Sequence, residues 1–149
     1  SLHATKIAAV RQAAEKAGVR LFINARTDVY LRQLATGEAA EAEAIRRGKL
    51  YASAGADGVF VPGAAEPSLI GRLAAAIPAP LNILAWPGAP DAAALKDLGV
   101  RRLSAGTGTF NVAFAALARA AAAFLETGSS EALFAAAKGA PALQKRFST

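Results

Sequence analysis

Leu21-Phe22-Ile23-Asn24-Ala25-Arg26-Thr27-Asp28 is the stretch on which the reading of this chain turns. A short apolar run ends abruptly in Asn, Arg, Thr and Asp, as a strand at the rim of a parallel α/β fold does. The arginine carries the chemical information, because its planar guanidinium can grip a carboxylate or phosphonate through two parallel hydrogen bonds. The same design returns at Val59-Phe60-Val61-Pro62-Gly63 and at Pro80-Leu81-Asn82-Ile83-Leu84.

Outward from that stretch, the pattern predicts a helix over Lys6–Ala17, where Ile7, Val10 and Ala14 recur at helical spacing and Gly18 supplies the stop. A strand is expected over Val19–Asn24 and a helix over Glu38–Ala54, with Gly48 weakening the second half of that helix. Glu43 precedes Arg46 and Arg47 by three and four residues, the favourable order for side-chain pairing on a helix. Further strands are expected at Gly58–Val61, Pro80–Leu84 and Arg101–Ser104, with helices at Glu66–Ala76, Asp91–Leu98, Phe110–Leu125 and Ser130–Lys138 and a tail from Pro141. Strands alternating with helices through short Gly/Pro loops imply parallel βα units. Four such units form either a small open sheet or half of an eight-unit barrel, and spacing alone favours neither.

Composition narrows the class. The chain has 149 residues, 54% hydrophobic and 19% charged, with mean hydropathy +0.30. That is enough chain for one domain with a sizeable core, and it argues against disorder. No apolar run approaches the roughly 20 residues that span a bilayer, and there is no charged-then-apolar leader, so no membrane association is expected. Cysteine is absent, which removes disulfides and thiolate chemistry and fits a cytoplasmic protein. The only histidine, His3, sits near the terminus and reads as solvated. The net charge of +6 is scattered over Arg46-Arg47, Lys49, Arg72, Arg101-Arg102, Lys138 and Lys145-Arg146 without interleaved aromatics, so no nucleic-acid partner is expected. Methionine is also absent, which is compatible with a fragment.

The ordered set Asn24-Ala25-Arg26-Thr27-Asp28, Tyr51 to Gly63 (YASAGADGVFVPG), Pro80-Leu81-Asn82 and Leu98 to Ser104 (LGVRRLS) closely resembles the isocitrate lyase/phosphoenolpyruvate mutase superfamily. Its carboxyvinyl-carboxyphosphonate phosphorylmutase-like branch is the nearest in pattern. The resemblance implies a (β/α)8 barrel that binds Mg2+ and a small 2-oxo or enol acid at the carboxyl ends of its strands. On that reading residues 1–149 are a single domain, the C-terminal (β/α)4 portion of a barrel with a trailing helix. The family's Mg2+ ligands fall on earlier strands, so no residue here is assigned to metal.

Arg26 matches the family arginine that clamps the substrate's carboxylate or phosphonyl group and is the candidate catalytic residue; its alternative is a structural ion pair with Asp28. Asn24 either lines the barrel mouth or satisfies loop backbone. Asn82 is expected to donate to a substrate oxygen, against the alternative of an amide stitching adjacent strands. Asp28 is expected to orient Arg26 or cap a loop. Gly63 allows close backbone approach to a ligand or simply a tight turn. Trp86 either covers the site mouth or packs between helices. Ser104 opens the loop Ser104–Thr109, which either holds phosphate or, as the preferred reading, caps the next helix through Thr107 or Thr109. Asp57 precedes its strand and reads as structural, and Tyr51 as core.

The functional expectation is a Mg2+-dependent lyase or phosphonomutase-like enzyme. It would cleave or rearrange a C–C or P–C bond of a small anionic 2-oxo or 2-hydroxy acid or phosphonate through an enolate-like intermediate. The alternative is a truncated, non-catalytic half-barrel that serves as an assembly module or needs a separate N-terminal chain. Terminal helices of relatives often pack on a neighbouring subunit, so the resemblance also implies a homo-oligomer, with Gly128–Lys138 as the contacting segment.

Overall fold

Register sets the architecture of this protein, seen in a computed structural model that describes residues 1–141. Asn24 lies opposite Gly58 and Arg26 opposite Phe60; Phe60 lies opposite Asn82, and Asn82 opposite Arg102. These pairs join β1 (Asn24–Arg26), β2 (Gly58–Phe60), β3 (Leu81–Leu84) and β4 (Arg102–Ser104) into one parallel sheet in the order β1-β2-β3-β4. The helices α1 (Leu2–Lys16), α2 (Gly37–Ser53), α3 (Pro67–Ala76) and α4 (Ala92–Asp97) alternate with the strands. The α/β class and the half-barrel order of the sequence reading are what the structure shows.

Side chains alternate across a strand, so each strand divides its residues between two faces. Ala25, Val59, Val61, Leu81 and Ile83 point to one face, where they are buried with Ile7 of α1, Ala44 of α2, Ile70 and Leu73 of α3 and Leu95 of α4. All four helices therefore cover one side. The other side carries Asn24, Arg26, Gly58, Phe60, Asn82, Leu84, Arg102 and Ser104. In a closed barrel that second side is the interior, which here holds polar and charged groups beside apolar ones.

The helix starts follow from capping chemistry. Glu66 accepts from the backbone N–H groups of Ser68 and Leu69 with Pro67 just inside α3, and Asp91 accepts from Ala94 N–H at the start of α4. Helix α1 begins four residues earlier than expected, at Leu2 behind the Ser1 cap. Gly48, expected to weaken α2, is buried there: a Cβ at this position would come 2.8 Å from Ile77 Cδ1 and Cγ1. Packing of α2 against the end of α3 outweighs helix propensity at this residue.

One strand is displaced from its expected place. The apolar run Val19–Asn24 was the predicted strand, whereas pairing occupies Asn24–Arg26 and leaves Val19, Leu21 and Phe22 exposed. The reason is that β2 begins only at Gly58, opposite Asn24. Upstream, Val19 N–H instead closes on Ala14 O, and Ile23 O takes the N–H groups of Asp57 and Gly58.

Residues Ser1–Gly106 form one compact unit, and a second begins at Thr107. In the second unit α5 (Gly108–Thr127) packs on α6 (Glu131–Ala137), with Ala116, Ala120, Ala123, Ala132 and Ala136 lining a cleft between them. By length and composition alone α5 is long and apolar enough to cross a membrane, with a mean hydropathy of 1.4 over its best window. Asn111 and Arg119 interrupt that helix, while the alanines and phenylalanines around them keep the average high. Beyond Pro141 the expected tail lies outside the described residues.

Candidate active-site face

Parallel strands place all their carboxyl ends at one edge, so the residues that close β1, β2, β3 and β4 meet on one rim. Arg26 ends β1 on the helix-free face. Its Nε donates to Asp28 Oδ1 at 2.6 Å, while its side chain remains 48% exposed. The chain stays extended through Thr27, whose N–H donates to Phe60 O, and this brings Asp28 back to the side of Arg26. The ion pair proposed as the structural alternative is therefore real, but it uses only Nε. Among the described residues the Nη1 and Nη2 groups have no hydrogen-bond partner, which leaves the outer edge of the fork for an anion.

Asn24 lies two residues before Arg26 on the same face, half-buried. Opposite it, a Cβ on Gly58 would lie 3.1 Å from Asn24 Oδ1 and 3.2 Å from Phe22 Cζ, so glycine there makes room for both side chains. Asn82 lies in the same register row as Arg26, one strand beyond Phe60, about 10 Å away between Cα atoms at the usual strand spacing. It is 1% exposed, its Oδ1 accepts from Ser104 Oγ at 3.1 Å, and its Nδ2 is buried without a partner. The stitching role is thus observed at the oxygen, while the amide nitrogen remains an unused donor. A buried donor left unpaired costs about 1–3 kcal/mol, which is a reason to look for an acceptor at this point.

The remaining predicted residues divide. Gly63 has φ +89°, and a Cβ there would sit 2.9 Å from Leu31 N and 3.1 Å from Tyr30 Cβ. Its close approach is to the loop after β1, so the turn reading accounts for it. Trp86 is 54% exposed beyond β3, which rules out packing between helices among the described residues and leaves it beside the rim. Ser104 joins the site through Asn82. Thr107 stands at the N-cap of α5 but makes no capping side-chain hydrogen bond, which corrects the preferred reading of that loop.

Asp57 is structural, at the amino end of the sheet. It accepts from Ile23 N–H at 2.7 Å and pairs with Arg11 Nη2, while Arg11 Nε also donates to Gly55 O. The hydrogen bond from Ile23 foremost, with the Arg11 guanidinium beside it, holds the Asp57 carboxyl below its ordinary range. Tyr51 is core, and the His3 ring meets it edge-on with centroids 4.8 Å apart.

Sequence reasoning missed three groups on or near the site. Phe60 and Arg102 complete the row Arg26–Phe60–Asn82–Arg102, and strand alternation was the signal that would have found them. Thr27 is buried with its hydroxyl unpaired directly behind Arg26, and nothing local marks it. Burial foremost, with the nearby Glu41 carboxylate, raises the Tyr30 phenol above its ordinary range.

Among the described residues no three His, Asp or Glu side chains converge as metal ligands would. Among the described residues the groups present do not fit a site for Mg2+, the cofactor that the resemblance implies.

Over residues 1–125 the chain matches the phosphoenolpyruvate phosphomutase family. It is 42% identical to a solved candidate phosphonomutase from Burkholderia cenocepacia J2315, with TM-score 0.75, covering 85% of this chain and 50% of that one. A candidate lyase/mutase from the same organism is 28% identical at TM-score 0.75, covering 97% and 50%. Solved 2,3-dimethylmalate lyase, 23% identical at TM-score 0.74, shares the fold. An uncharacterized protein of Mycobacterium tuberculosis H37Rv is 41% identical over 124 residues, which are 83% of this chain and 45% of the relative. The chain thus spans about half the length of the relatives it matches.

Proposed function

The chain belongs to the phosphoenolpyruvate phosphomutase family, and from that premise we propose that its helix-free sheet face is the anion-binding wall of a lyase or phosphonomutase active site. The substrate class is a small 2-oxo or 2-hydroxy acid or a phosphonate. The observation that carries the reading is the free outer edge of the Arg26 fork in one row with the unpaired Asn82 amide.

Two parallel N–H groups of Arg26 hold the carboxylate or phosphonyl group, and Asn82 Nδ2 donates to a second oxygen. As a C–C or P–C bond breaks, the electron pair it leaves gathers on that oxygen as an enolate. Donors already fixed in place stabilise this charge with little reorganisation. Asp28 keeps the guanidinium aimed by occupying Nε.

Turnover of 2-oxo acids and phosphonates with Mg2+ tests the reading. Arg26→Ala should abolish activity while leaving the unfolding curve unchanged, and retained turnover overturns the assignment.

A second reading rests on a separate observation: β1 and β4 are both edge strands, and within Ser1–Gly106 no helix covers the face between them. Such a sheet serves as an assembly module, or works with further strands that close it. Normal folding and self-association with no anion binding would favour this reading over the first.

A further inference from the structure

We infer that Ser104 is a positioning residue that sets which end of the Asn82 carboxamide faces the ligand. The inference rests on the anion-binding reading of the sheet face and adds to it a requirement for one particular hydroxyl. Ser104 Oγ lies 3.1 Å from Asn82 Oδ1 and donates to it, and the two side chains share a face because Asn82 pairs with Arg102, two residues before Ser104.

An asparagine amide has one acceptor end and one donor end, and an anion needs the donor. The row around Asn82 pushes the other way. Arg26 and Arg102 occupy its two ends, and their cationic N–H groups attract an amide oxygen. Arg102, next to Asn82 in that row, is exposed and makes no ion pair among the described residues. Without a competing hydrogen bond, the carboxamide turns Oδ1 toward the arginines and offers the anion an acceptor. The Ser104 hydroxyl supplies that competing bond. It engages Oδ1 and leaves Nδ2, buried and unpaired, as the group that meets a ligand oxygen.

The test is a titration of the full chain with oxalate, a small planar dianion, read by NMR from the side-chain amide pair of Asn82. Wild type should shift this pair on titration. Ser104→Ala should weaken oxalate binding about tenfold, the worth of one hydrogen bond to a charged group. It should also lower the order of the Asn82 amide in the ligand-free protein, and Ser104→Thr, which restores a hydroxyl, should recover both. A structural role confined to sheet stability would move the unfolding midpoint without changing the amide order. Loss of the shift in Arg26→Ala with its retention at wild-type affinity in Ser104→Ala overturns this inference alone. Absence of any shift in wild type overturns the anion-binding reading and this inference with it.

Discussion

Arg26 and Asp28 are joined through one edge of the guanidinium only: Nε donates to Oδ1 at 2.6 Å, and the two side chains are 48% and 32% exposed. An ion pair this open adds at most about 1 kcal/mol to stability. Its significance is geometric, because a fork held at Nε keeps its outer edge pointed along one direction.

Replacing Asp28 should therefore act on binding more than on folding. Asp28→Asn is expected to weaken oxalate binding several-fold, with a change in unfolding free energy below about 0.5 kcal/mol. Calorimetric titration beside urea unfolding checks both. A variant that unfolds early but binds normally would mean that the pair is purely structural.

Gly63 gives a sharper stability prediction. Its φ of +89° disfavours any side chain, and a Cβ would meet the backbone nitrogen of Leu31 at 2.9 Å, an atom that cannot swing away. Gly63→Ala should cost more than about 2 kcal/mol, whereas Gly88→Ala, at φ +83° with open space around it, should cost about 1 kcal/mol. Thermal unfolding of the pair separates backbone strain from collision.

At Gly48 two effects oppose each other. Alanine gains about 1 kcal/mol of helix propensity, but its Cβ would press on the stiff, buried Ile77 from 2.8 Å. Overpacking costs about 1–3 kcal/mol, so Gly48→Ala should destabilise on balance. Adding Ile77→Val should recover part of the loss, and additivity in the double variant would show that the two sites do not touch.

Acid should erode stability through carboxylates that the fold holds ionised. Arg46 and Arg47 beside Glu43 hold its carboxyl down at about 2, from an ordinary 4.5. Asp57, Glu41 and Glu66 are likewise lowered, chiefly by hydrogen bonds from Ile23 N–H, Arg72 and Ser68 respectively. A depressed folded value means that the contribution is complete above the ordinary carboxylate range and disappears as pH falls through the folded value. Unfolding free energy should therefore be flat from neutral pH to about 5 and fall steadily below. Asp57→Asn should lower the plateau and make the decline shallower; an unchanged slope would remove Asp57 from the account.

Phe110, Val112, Phe114, Leu117, Leu125 and Phe134 on α5 and α6 are exposed, and large apolar side chains left in water favour association. Light scattering should show a homo-oligomer, and Phe114→Glu with Leu117→Glu should shift it toward monomer. Wild type running only as a monomer would remove the oligomer from the proposal.

What the sequence determined by itself was everything set by local periodicity and by the ends of elements. The alternation of helix and strand, the glycine stops and the Glu43 pairs with Arg46 and Arg47 could be read because each depends on residues a few positions apart. The polar rim was legible for the same reason: Arg26, Asn82 and Ser104 each stand in or beside a short apolar run. Tertiary structure decided what depends on which strand lies alongside. It moved β1 from the most apolar residues to Asn24–Arg26, because only those have Gly58–Phe60 to pair with. It joined Arg11 to Asp57 across 46 residues and Ser104 to Asn82 across 22, and it showed that Gly63 makes room for the loop after β1. Hydrogen-bond partners and steric neighbours are fixed by proximity in space, which a one-dimensional pattern specifies only after the sheet has chosen its register.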